Sequence, residues 1–147
     1  MALTTLLESL FAKASDEPAE QTQARLAAAV LLVEIASADF DQAEKELAVI
    51  RSHLGEQFGL APEDAQALLD EARNEHDATT CLAPYAQMFN QNSDRDTRLR
   101  LLEGLWRVAL ADGVIDRHEE LMMRRIADML YLSHADYIQT KLRVGAD

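Results

Sequence analysis

LEGLWRVALADGVIDRHEELMMRRIADM, residues 102–129, is the stretch that decides the fold. Its apolar side chains recur at helical spacing. With Leu99 just upstream, Leu102, Trp106 and Ala109 form one stripe, and Leu121, Met122, Ile126 and Met129 form another. Both stripes read as core. Between them Ala111-Asp112-Gly113 interrupts the pattern. Gly113 ends the first helix, Asp116 caps the next by accepting an amide proton from its first turn, and Glu119 three residues on completes a capping box. The unit is therefore two helices joined by a short acidic turn.

Outward from that unit the same periodicity continues to both ends, with helices expected near 2–14, 19–38, 42–58, 62–76, 80–91, 94–111, 117–131 and 133–143. Asp16-Glu17-Pro18 opens the second with acidic residues where the helix dipole favours them. Gly59-Leu60-Ala61-Pro62 closes one helix and starts another with proline at an early position. Asn90-Gln91-Asn92-Ser93-Asp94 is a polar turn with Ser93 or Asp94 as its cap. With only 5 Gly and 3 Pro in 147 residues, and with Ala, Leu, Glu, Gln and Arg dominant, no strand survives. The expectation is all-α: a single compact bundle of seven to eight helices. Residues 1–18, whose Leu3, Leu6, Leu7, Leu10 and Phe11 share one face, form a helix packing on the domain at 19–147.

Laying residues 25–46 over 98–119 pairs Arg25 with Arg98, Leu26 with Leu99, Leu32 with Leu105, Ala36 with Ala109, Ala38 with Ala111, Asp39 with Asp112 and Glu46 with Glu119. The acidic pairs fall where one helix ends and another begins. Two pseudo-repeated helix pairs are expected from this.

Capping accounts for Asp116 and Glu119, but not for Asp112, an acid at a helix C-terminus, where the macrodipole penalises negative charge. A cation or an arginine beside it would remove the penalty. Asp112, Asp116 and Glu119 converging on a hard divalent cation, calcium or magnesium, is the functional reading, against which stands capping alone. Calcium takes about 6–8 oxygens, so three carboxylates need help from carbonyls, waters or a second turn, and the twelve-residue calcium-loop pattern is absent. The first copy, with Asp39, Asp41, Glu44 and Glu46, supplies further carboxylates if the repeat brings both turns together.

The formal charge is −12, from 26 Asp+Glu against 14 Lys+Arg, which disfavours nucleic acid and anionic lipid as partners. A single Cys81 permits no internal disulfide, in keeping with the cytoplasm. No apolar run approaches the ~20 residues that span a bilayer. His53, His76, His118 and His134 are dispersed without zinc-ligand spacing, and only His118 lies beside the acidic turn. No Ser/His/Asp set, glycine-rich phosphate loop or cofactor fingerprint accompanies the carboxylates, so no enzyme is expected.

The run Leu102–Asp116, followed by Glu119-Glu120 and Arg124–Asp128, with Leu31–Asp39 and Phe58-Gly59-Leu60 upstream, resembles the TerB-like tellurite-resistance family from about residue 25 to 143. The resemblance implies a helical bundle of two related halves, shared with the N-terminal region of a membrane-anchored DnaJ-type co-chaperone. It also implies association with tellurite resistance and envelope or stress responses, and metal binding at Asp112, Asp116 and Glu119, with Asp39 and Glu46 more weakly placed. The first copy departs from the motif: Phe40 replaces the turn glycine, and Ala43 stands where the second copy has Asp116, leaving Asp41 or Glu44 to substitute. The expected function is a non-enzymatic binding or regulatory module, with a metal-independent protein–protein adaptor as the alternative. The expected partner is a protein, envelope-associated if the resemblance holds, without nucleic acid or membrane insertion. The chain itself is expected to be a monomer or weak homodimer.

Overall fold

The computed structural model describes residues 19–37, 43–111 and 113–145. Among the described residues are seven helices and no strand: α1 (Ala19–Ala36), α2 (Ala43–Phe58), α3 (Pro62–Ala78), α4 (Ala83–Gln91), α5 (Arg95–Ala109), α6 (Arg117–Met129) and α7 (His134–Val144). The helix expected within residues 1–18 lies outside them.

Helix α1 organises the rest. Its second half, Ala27–Ile35, is apolar on every side apart from Glu34, and a helix hydrophobic all round has to be surrounded. It is: Ala28, Ala29, Val30, Leu31, Leu32 and Ile35 are fully buried, and α2, α3, α4, α5 and α6 all pack against α1. The alanines let those neighbours approach closely. Helix α5 is the second centre, contacting α1, α2, α6 and α7 and burying Trp106 against Tyr137 of α7 with ring centroids 4.9 Å apart.

The helix ends follow local chemistry. Asp94, rather than Ser93, caps α5 by accepting the Thr97 amide at 2.8 Å. Helix α4 starts at Ala83 instead of 80, because Thr79 and Cys81 close a local side-chain turn and Pro84 fixes the first helical turn. Helices α2 and α6 stop alike: Gly59 (φ +65°) and Tyr131 (φ +57°) turn left-handed, and Leu60 and Leu132 donate back to the Gly55 and Ala127 carbonyls at 3.1 Å. Each is a Schellman ending. Helices α1 and α5 end 73 positions apart, at Ala36 and Ala109.

One core assignment fails. Leu121 is 60% exposed. The buried line of α6 runs through Glu119, Met123, Ile126 and Ala127, and Leu121, two positions from Glu119 and so about 200° around the helix, points outward. Ile126 is buried as expected, while Met122 and Met129 are half-buried at the core's edge.

Candidate functional site

The turn between α5 and α6 is built from backbone upward. Leu110 closes α5 and accepts the Gly113 amide at 2.8 Å, and Gly113 takes φ +88°, a conformation that favours glycine. Asp116 Oδ1 then accepts the Glu119 amide at 2.7 Å, while Glu119 Oε1 accepts the Asp116 amide at 3.3 Å. The capping box expected for these two residues is present.

Burial separates the two carboxylates of that box. Asp116 is exposed, whereas Glu119 is only 2% exposed, and Glu46, its counterpart 73 positions earlier in the first turn of α2, is 0% exposed. Two buried carboxylates thus stand near the starts of α2 and α6. Helices α2 and α6 both rest on α1 and α5. Of the other candidate ligands, Asp39, Asp41 and Asp112 lie outside the described residues, and Glu44 is exposed on the first turn of α2. Among the described residues, no three His, Cys, Asp or Glu side chains gather into a metal-binding group.

The donor chemistry suits a hard cation. The candidate ligands are carboxylates, the oxygen donors that calcium and magnesium take. The box engages Oδ1 of Asp116 and Oε1 of Glu119, and a carboxylate has about four lone-pair positions, so capping and coordination are compatible.

The histidines sit in different surroundings. His118 is exposed beside the acidic turn. His76 of α3 meets Glu34 of α1 at 3.0 Å. His53 is the buried one, 4% exposed, and with Glu56, Gln57, Arg100, Glu103 and Arg107 it lines a cleft of about 240 Å³ between α2 and α5. Sequence reasoning passed over this cluster. The available signal was Gly104, an isolated glycine inside a helical run, which marks a close approach: a Cβ there would lie within 2.7 Å of three His53 ring atoms.

Charge at the second capping box, at the start of α7, is set by its partners. Asp136 is buried, accepts the Ser133 amide at 3.0 Å and pairs with Arg95. The Ser133 amide chiefly holds this carboxyl below the ordinary value; burial opposes, and the Ser133 hydroxyl and Arg95 add to the lowering.

No helix among the described residues is long and apolar enough to cross a membrane. The family model described as "Tellurite resistance protein TerB" matches residues 25–142, from the second turn of α1 to the last turn of α7 and through both acidic turns. No curated protein and no solved structure matches the chain.

Proposed function

The chain belongs to the TerB family of tellurite-resistance proteins, and on that premise we propose that it is a non-catalytic cytoplasmic binding module which takes up calcium or magnesium at its two acidic turns. The observation that carries this reading is the burial of Glu46 and Glu119 at matching positions, each in the first turn of the helix leaving an acidic turn. The carboxylates of the two turns offer the oxygen donors that calcium and magnesium take, and the overall charge of −12 raises the local cation concentration. Asp112 and Asp116 would hold it from the α5–α6 turn with Glu119, and Asp39 and Asp41 from the α1–α2 turn with Glu46. In this scheme the trios α1–α2–α3 and α5–α6–α7 are related halves, and the bound ion ties their turns together across the α1/α5 pair. Its consequence is mechanical: the seating of α2 and α6, and so the surface offered to a protein partner in the stress response, depends on the cation.

Linkage supplies the test. A ligand that binds only the folded state at about a hundredfold above its dissociation constant stabilises it by ~2.7 kcal/mol. Wild-type protein should melt at a higher temperature in calcium or magnesium than in a chelator, and Asp112→Asn should remove the difference. Superimposable wild-type curves with and without cation reject the proposal.

One observation favours a second reading. The complete capping box at Asp116 and Glu119 gives both residues a structural role without any ion, which suits a metal-independent adaptor. Such an adaptor would keep both its stability and its partner in the Asp112→Asn variant.

A further inference from the structure

The hydrogen-bond chain through His53 fixes its protonation state. Gln57 Nε2 donates to the Thr97 carbonyl at 3.0 Å, so Gln57 Oε1 is the acceptor for His53 Nε2 at 2.7 Å, and Nε2 carries the hydrogen. Nδ1 is left with its lone pair, and Arg107 Nη1 donates to it at 3.4 Å. The ring lies against the α5 backbone at Gly104, in space that a single Cβ would fill. Arginine cannot give up its proton, so this arrangement admits only neutral imidazole.

We propose that His53 is a proton-operated latch between α2 and α5: neutral, it closes the seam; protonated, it releases it. A proton from solvent binding at Nδ1 removes the acceptor that Arg107 uses and sets an imidazolium beside a guanidinium within the protein. The charged groups facing the ring offer little relief. On α2, Glu56 is engaged by Arg107 at 3.2 Å. On α5, Glu103 is engaged by Arg143 of α7 at 2.6 Å, and Arg100, the remaining charge lining the cleft, is itself positive. Withdrawal of the imidazolium into the cleft separates α2 from α5 and disrupts the Gln57 bridge to Thr97. Burial, which is the leading cause, and Arg107 push the His53 pKa below the ordinary 6.5 against the Gln57 hydrogen bond and the Glu56 and Glu103 carboxylates, which raise it, so the release falls below 6.5. The folded pKa is lower than the unfolded one, so stability is complete above 6.5 and declines as the pH falls below it. A histidine is the side chain suited to such a range.

The experiment is an NMR titration of the full chain, following the His53 ring carbons and the backbone amides in wild type and Arg107→Gln, with urea unfolding of wild type and His53→Gln at neutral and mildly acid pH. The latch requires three results: a His53 midpoint below 6.5, amide shifts at residues 53–57 and 97–107 that follow the same midpoint, and a rise of that midpoint in Arg107→Gln. It also requires a urea midpoint that drops on acidification in wild type and drops less in His53→Gln. If His53→Gln does not fold, the two titrations decide. A midpoint at or above 6.5, α5 amides that ignore the His53 titration, or a midpoint unmoved by Arg107→Gln overturns the proposal.

Discussion

At Gly104 the absence of one carbon allows an imidazole to lie on a helix backbone, and the position is accordingly intolerant. Gly104→Ala would raise the helix propensity of α5, but the added methyl would lie 2.4 Å from two His53 ring atoms. Overpacking of that kind costs about 1–3 kcal/mol, against ~1 kcal/mol gained from propensity. We expect net destabilisation in urea unfolding, and a variant more stable than wild type would show that α2 and α5 are not so close. Tyr131 presents the opposite case. It is 79% exposed and sits at φ +57° in the place Gly59 takes at the end of α2, a conformation that costs a non-glycine residue roughly 1–2 kcal/mol. Tyr131→Gly should therefore stabilise the protein by about 1 kcal/mol, visible as a higher urea midpoint. Among the candidate ligands, the roles of Asp116 and Glu119 were legible because a capping box is a four-residue pattern. The burial of Glu46 and Glu119 was not, since it depends on which face α2 and α6 turn toward α1 and α5. The surroundings of His53 were not legible for the same reason: Arg107, which meets its ring, is 54 positions away, and Thr97, which accepts from its neighbour Gln57, is 40 positions from that glutamine.

At the level of the elements, local signals located helices well and their ends less well. Proline at 62, glycine at 59 and the acidic caps put the α3, α5 and α6 starts within one residue of expectation. Helix α6 stops at Met129, two residues early, because the left-handed turn falls on a tyrosine, a residue that carries no turn signal. Leu121 was placed in the core because leucine is apolar; the register of α6 gave the buried seat to Met123 instead. The start of α7 carries a pH dependence of its own. The Asp136 carboxyl is depressed in the folded state by the Ser133 amide first and by Arg95 besides, so its contribution is present above the unfolded value of 3.8 and is lost as the pH falls through the lower folded value. Asp136→Asn should flatten that acid limb of a stability profile while leaving the region near neutrality as steep as in wild type. An unchanged acid limb would mean that the Arg95 and Ser133 contacts are not made in solution. Ser133→Ala, which deletes the cap itself, should cost ~1 kcal/mol at neutral pH.

For the whole molecule, the all-helical class followed from composition, and the central place of α1 from the lack of any polar stripe between Ala27 and Val33. Because five helices lean on α1, its truncation variants should be felt everywhere: Leu31→Ala removes a fully buried side chain and should cost about 2–5 kcal/mol, measured by urea unfolding. A cost below 1 kcal/mol would mean that the surrounding helices close over the gap. What composition could not reveal is how the fold uses its carboxylates. Most charged side chains among the described residues lie at or near the surface, where salt screens them, but Glu46 and Glu119 are interior, and the proposed function rests on them. The direct measurement is a calcium and magnesium titration of the full chain followed by backbone amide shifts. The account predicts shifts concentrated in residues 39–46 and 112–119, both segments saturating along one curve. No shifts, or shifts scattered over the acidic surface without saturation, would contradict it.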